Sequence, residues 1–201
     1  MKKIILTSCI LFLFTSIQLK AEIRLVPDQY NFIQLAINDC NDGDVVVVAP
    51  GTYFELINFL GKNITVTSTD PNDPYVVANT IIDGDGEGSV ILFENGETNE
   101  AVLSGFTITG GYGSVIPEIG YEIIWGAGIF CYNSSPTITK NVIRNNIGPM
   151  VTEGDFIAVS YGVGISCAEC TPIITHNIIR DNSGYGACGP DSESRRLRCY
   201  L

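Results

Sequence analysis

Little in this chain belongs to the residue types that most often carry chemistry. Its 201 residues include one histidine, one tryptophan and two methionines, and only 16% are charged. Basic residues are scarce: 11 Lys and Arg stand against 22 Asp and Glu, a formal net charge of −11. So acidic a chain, with no basic stripe, repels a phosphate backbone, which argues against nucleic acid as a partner. Beyond the first twenty-one residues no apolar run is long enough to span a bilayer, so no membrane span is expected in the mature chain. Cys167-Ala168-Glu169-Cys170 has the spacing of a redox or zinc pair, but it lacks a second pair and no thioredoxin-like βαβ pattern surrounds it. No metal site is expected there.

What is present begins with Lys2 and Lys3, an apolar run from Ile4 to Phe14, and a polar stretch closing on Leu19-Lys20-Ala21. That order predicts a secretory signal over residues 1–21 and an extracellular or cell-surface location, since a membrane anchor needs ~20 apolar residues. Losing Lys2, Lys3 and Lys20 would take the formal charge from −11 to −14. Seven cysteines, six of them after Cys9, are compatible with disulfides or buried thiols in an exported protein. The pairing is left open.

The most informative pattern is a repeat. Gly126-Ala127-Gly128-Ile129-Phe130-Cys131 returns as Gly162-Val163-Gly164-Ile165-Ser166-Cys167, 36 positions later. The same spacing relates Pro136 to Pro172, Ile138 to Ile174, Thr139 to Thr175, Asn141 to Asn177, Ile143 to Ile179, Arg144 to Arg180 and Asn146 to Asn182. Units that repeat in register stack like on like, each burying its apolar face against the next. His176 stands where the preceding unit has Lys140, and so reads as a solvated turn position rather than a general base.

Upstream, Phe32, Ile33, Leu35, Ala36 and Ile37 recur at helical intervals between Tyr30 and Cys40, which predicts one short amphipathic helix. The period then changes to short β-branched runs at Val45–Ala49, Ile64–Thr67, Thr80–Ile82, Ser89–Phe93, Val102–Thr109, Gly128–Cys131, Thr137–Thr139 and Ile173–Thr175. Turn-forming groups such as Pro50-Gly51, Gly61-Lys62-Asn63 and Asp83-Gly84-Asp85-Gly86 separate them. The expected fold is all-β: a right-handed parallel β-helix over residues 22–187 with a short N-terminal capping helix.

Several segments carry a resemblance to a known family: Gly43-Asp44-Val45, Val48-Ala49-Pro50-Gly51-Thr52-Tyr53, Ile81-Ile82-Asp83-Gly84, Leu103-Ser104-Gly105-Phe106-Thr107-Ile108-Thr109, and the units Ser134-Ser135-Pro136-Thr137-Ile138-Thr139 and Cys170-Thr171-Pro172-Ile173-Ile174-Thr175. From about Val26 to Asn182 the chain resembles the pectin lyase-like right-handed parallel β-helix proteins, in particular exported bacterial β-helix repeat proteins. The resemblance implies the fold. For activity it implies a choice between polysaccharide lyase or hydrolase chemistry on clustered aspartates and no catalysis at all, and no such aspartate set maps onto this sequence residue by residue. After Cys188 the pattern stops, because a further unit would place glycine at position 198, where Arg198 stands. Residues 188–201 are read as a non-repeat tail that cuts the repeat short, with an ordinary polar tail or terminal cap as the alternative.

A period of 36 exceeds the ~20 to 22 residues of one β-solenoid turn, so loops are expected at Gly111–Trp125 and Ile147–Tyr161, leaving the same corner of consecutive turns. They carry the candidate ligand-binding residues Tyr121, Glu122, Trp125, Asp155 and Tyr161, aromatics for the apolar faces of sugars and carboxylates for their hydroxyls. The alternative is that Trp125 and Tyr161 fold down as wall packing. Arg144 and Arg180 join the candidates as guanidinium groups one turn apart, balanced by Glu153, Asp155 or Asp181, or by an acidic sugar. Asp83, Asp85 and Glu87 are turn residues; calcium is the one cofactor they would admit, although their spacing does not match a twelve-residue calcium loop. The asparagine pairs are read as structural.

Three functional readings follow. The first is a non-catalytic exported module presenting a carbohydrate-binding or adhesive surface to a polysaccharide or cell-surface glycan. The second is a polysaccharide lyase or glycoside hydrolase whose catalytic turns are missing or unrecognised, and the third a structural spacer of a larger surface protein.

Overall fold

Tyr53, Ile82, Ile108, Ile143 and Ile179 stand side by side on five adjacent parallel strands, and that column shows how the chain is built. A computed structural model describes residues 20–118, 121–148, 151–153 and 156–184. In chain order the first elements are β1 (Ile23–Val26), α1 (Ile33–Asn38), β2 (Val45–Val48), β3 (Gly51–Phe54), β4 (Ile57–Asn58), β5 (Thr65–Ser68), α2 (Pro74–Asn79) and β6 (Thr80–Asp83). There follow β7 (Ile91–Phe93), β8 (Val102–Ser104), β9 (Thr107–Thr109), β10 (Ser114–Glu118), β11 (Tyr121–Trp125), β12 (Ile129–Tyr132), β13 (Thr137–Thr139) and β14 (Val142–Arg144). The last are β15 (Ile147–Gly148), β16 (Val151–Glu153), β17 (Phe156–Tyr161), β18 (Ile165–Ala168), β19 (Ile173–Thr175), β20 (Ile178–Arg180) and β21 (Ser183–Gly184).

The strands form sheets that are parallel almost throughout. One has the order β1-β2-β5-β8-β13-β19, a second β3-β6-β9-β14-β20, a third β4-β7-β12-β18, and β15 pairs with β21. Because the pleat alternates faces, alternate residues of the strands in the first three of these sheets point to a shared interior. Val46, Val66, Leu103 and Ile138 make one column, and Ile57, Ile91 and Ile129 another, all essentially without exposure. Phe59 and Phe93 add an aromatic contact with ring centroids 4.3 Å apart. Burying each such side chain contributes roughly 1.5–3 kcal/mol before the entropy of ordering the chain is subtracted.

The 36-residue repeat of the sequence is the sheet register itself. Ile129 pairs with Ile165, Cys131 with Cys167, Ile138 with Ile174, Ile143 with Ile179 and Arg144 with Arg180. Corners between strands recur too, with positive φ at Asn133 and Glu169, at Lys140 and His176, and at Asn145 and Asp181. At Gly126 and Gly162 the corner requires glycine: φ is +41° and +57°, and a Cβ would lie 2.3 and 2.6 Å from the carbonyl oxygens of Ile129 and Ile165.

Some sequence expectations need correction. The single run Val102–Thr109 is two strands, because Gly105 at φ +86° turns the chain between them. The expected helix is confined to Ile33–Asn38, with Ile33, Ala36 and Ile37 buried against β1, β2 and β4. Its first N–H groups have no local cap; the Glu55 carboxylate receives those of Ile33 and Gln34, both at 2.9 Å. The second helix, α2, was not expected, although Asp73-Pro74 is a start signal: the Asp73 carboxylate accepts the Tyr75 N–H at 2.8 Å and Pro74 opens the helix.

Candidate functional site

The two insertions are hairpins rather than loops. β10 and β11 pair antiparallel, as do β16 and β17, and β11 joins β17 in parallel, giving the four-stranded order β10-β11-β17-β16. The β-branched pairs Val115-Ile116 and Ile123-Ile124 are the signal the sequence offered for this. Hydroxyls hold the hairpin roots. Ser89 Oγ lies 2.9 Å from Ser114 Oγ and donates to the Trp125 carbonyl at 3.3 Å, and Ser160 Oγ donates to the Gly148 carbonyl at 2.8 Å.

The register brings Trp125 and Tyr161 together as partners on β11 and β17. Tyr121 and Glu122 lie on β11 opposite Glu118 and Pro117 of β10, while Asp155 lies outside the described residues. Trp125 is only 8% exposed and stacks on Phe130, with centroids 5.9 Å apart. Phe130 in turn stacks on Tyr132 at 6.3 Å, and Tyr132 is 40% exposed. The tryptophan face is therefore wall packing, and the aromatic accessible to solvent in this row is Tyr132.

Arg144 and Arg180 are register partners on another sheet, that of β14 and β20. Arg180 is ion-paired with Asp181, one of the partners expected from sequence. Beside them run two asparagine ladders. Asn141 and Asn177 Oδ1 accept the backbone N–H of Phe106 and Asn141, and Asn146 and Asn182 Oδ1 accept those of Gly111 and Asn146, all at 2.9–3.0 Å. Their Nδ2 groups donate to the carbonyls of Leu103, Ile138, Ile108 and Ile143 on the preceding strands. Buried corner amides are thereby satisfied, as the structural reading of these residues expected. Asp83 accepts the Asp85 N–H at 3.0 Å, which is turn chemistry, and His176 is an exposed corner with φ +56°.

Sequence reasoning missed an open groove of about 480 Å³ on a different face, lined by Gly96, Glu97, Thr98, Asn99, Asn133, Ser134, Ser135, Glu169, Thr171 and Ile173. Glu97, 2% exposed, forms its floor and accepts from Gly61 N, Asn95 N and Ser134 Oγ at 2.7–2.9 Å. Asn133, Glu169 and Thr171 are exposed rim groups. The repeat held a signal for this site, because Asn133 and Ser135 fall in register with Glu169 and Thr171, polar at each level. Thr171 N donates to Ser135 Oγ at 3.0 Å.

The only buried arginine among the described residues, Arg24, ends the column of Val46, Val66, Leu103 and Ile138. Its guanidinium reaches Asp44 at 2.8 Å and Asp39 at 3.1 Å, and Tyr30 donates its hydroxyl to Asp39. Burial alone would lower the Arg24 pKa; the hydrogen bond to Asp39 and the nearby negative charges outweigh it and raise it. Hydrogen bonds from Tyr30 and Arg24 hold Asp39 below the usual carboxylate range. Burial would raise Asp44, but the N–H groups of Asn41 and Glu22 and the charge of Arg24 prevail and lower it. Every strong donor here has its acceptor, so the cluster closes the end of the apolar column.

No family model, curated protein or solved structure matches this chain. The arrangement alone has to carry the functional reading.

Proposed function

We propose that the chain is an exported right-handed parallel β-helix of the pectin lyase-like kind, closed at its N-terminal end by α1, and that it binds glycan on its surface without catalysis. What supports the winding is the agreement of three parallel sheets in register with a single 36-residue repeat. The observation that carries the binding reading is the open groove, whose rim presents an amide, hydroxyls and one exposed carboxylate at Asn133, Ser135, Thr171 and Glu169. Those are the groups that exchange hydrogen bonds with sugar hydroxyls. The half-exposed ring of Tyr132 precedes Asn133 and offers an apolar face for a pyranose. Glycoside hydrolysis needs a pair of available carboxyls. Glu97 is occupied by three internal hydrogen bonds, which leaves Glu169 as the one accessible carboxylate among the described groove residues.

Affinity electrophoresis through gels carrying neutral or acidic polysaccharides tests the proposal. The wild type is expected to be retarded on at least one gel, with retardation reduced about tenfold or more for a Thr171→Ala, Glu169→Gln double variant. Equal mobility of both proteins on every gel would sink it. Release of new reducing ends from the retarding polysaccharide would replace it with the enzyme reading.

A further inference from the structure

Three of the chain's seven cysteines meet at one place on the wall formed by β12, β18 and the turn into β19. Cys131 and Cys167 are register partners on adjacent parallel strands, and Cys170 returns beneath them after Glu169 takes φ +54°. The Cys170 thiol donates to the Cys131 carbonyl at 3.5 Å and is hydrogen-bonded to Cys167. Cys131 is fully buried, whereas Cys167 and Cys170 are each partly exposed.

We infer that Cys167 and Cys170 form a disulfide in an oxidising compartment, stapling the end of β18 to the turn that leads into β19, while Cys131 stays a thiol. Geometry selects this pair. Side chains on neighbouring in-register parallel strands stand parallel to one another and seldom reach the torsion a disulfide requires near ±90°, which disfavours Cys131 with Cys167. Between Cys167 and Cys170 the reversal at Glu169 has already brought the two thiols within hydrogen-bonding reach of each other. The oxidant is a small disulfide such as oxidised glutathione, or a thiol–disulfide oxidoreductase. Cys167 loses its proton to solvent, and its thiolate attacks one sulfur of the oxidant, forming a mixed disulfide as the oxidant's own S–S bond breaks and expels a thiolate. Cys170, having lost its proton to solvent, then attacks the Cys167 sulfur of the mixed disulfide and expels the second thiolate. Two protein S–H bonds are lost, one S–S bond forms, and two electrons pass to the oxidant. The contact with Cys167, then burial, push the Cys170 pKa well up, which agrees with Cys167 being the thiol that meets the oxidant first.

The location gives the bond a purpose. Ile179 is 41% exposed where its register partner Ile143 is fully buried, so β20 receives less apolar support than the strand before it. A covalent tie at the entrance to β19 limits how far this edge can fray.

The test equilibrates the full chain with oxidised and reduced glutathione, blocks remaining thiols with iodoacetamide, digests with trypsin and reads the peptides by mass. Cys167 and Cys170 share the peptide ending at Arg180, and Cys131 lies on the one ending at Lys140. The expected product is the Arg180 peptide unalkylated and lighter by two hydrogens, unchanged by Cys131→Ser and abolished by Cys167→Ser or Cys170→Ser. Reductant is expected to lower the thermal midpoint of the wild type by a few degrees. A link between the two peptides, or full alkylation of both cysteines under fully oxidising conditions, overturns the inference. Because the wild type alone can give either result, a variant that fails to fold does not decide the matter.

Discussion

Single residues in this protein matter most where a polar group is carried into the interior. Arg24 takes the inward place that Val46, Val66, Leu103 and Ile138 hold on the neighbouring strands, and it is tolerated because Asp44 and Asp39 meet its charge. Removing Asp44, the buried one of its two aspartate partners, leaves the Arg24 charge only partly compensated by the exposed Asp39, so Asp44→Ala should cost about 3 kcal/mol in urea denaturation. The same pair gives stability a defined pH dependence. Both aspartates titrate below their ordinary range when folded, so the unfolded chain binds more protons as pH falls. Their contribution is complete above the unfolded value of about 4 and disappears as pH drops through the folded values. Thermal midpoints from pH 7 to pH 2 should show this acid loss in the wild type and a smaller one in Asp44→Ala. Identical slopes would mean the ion pair does not link stability to pH.

At the level of elements, the hairpins depart most from expectation. Gly111–Trp125 and Ile147–Tyr161 read as loops because the 36-residue period exceeds the ~20 to 22 residues of one turn, yet they pair with themselves and with each other. Trp125, a candidate for ligand contact, ends β11 and packs against Phe130 and Ala168. Trp125→Ala should therefore lower stability by about 3 kcal/mol while leaving retention on polysaccharide gels unchanged. Loss of retention with unchanged unfolding would return the tryptophan to the binding surface. α1 shows how an element with no cap of its own borrows one: its first N–H groups find Glu55, a residue beyond the helix in sequence that only the folded chain brings back.

For the whole molecule, stability should fall along the direction of stacking. Leu103, Ile108, Ile138 and Ile143 are fully buried, whereas Ile174 and Ile179, their register counterparts on β19 and β20, are half-buried and exposed, respectively. Nearest-neighbour contacts dominate such an architecture, so local opening begins where a neighbour contributes least. Native-state hydrogen exchange should find amides of β8, β9, β13 and β14 protected at least about tenfold more than those of β20. Uniform protection through β20 would show that its outer side is covered in solution.

Much of this was written in the sequence. A repeat of 36 residues determined which side chains share a column, because stacked parallel strands reward identical residues at each level with matched shape and matched hydrogen bonds. The asparagine ladders and the glycine corners were legible for the same reason: a corner has few chemical solutions, and the chain reuses them. Only the tertiary structure decided which surface groups converge. Glu97 lies outside the repeat and reaches Ser134 across strands, Cys170 meets Cys167 through a reversed corner, and Trp125 turns inward upon Phe130. Periodicity encodes what lies above what. It does not encode which way a side chain turns at the edge of a sheet, since that depends on packing among residues far apart in the chain.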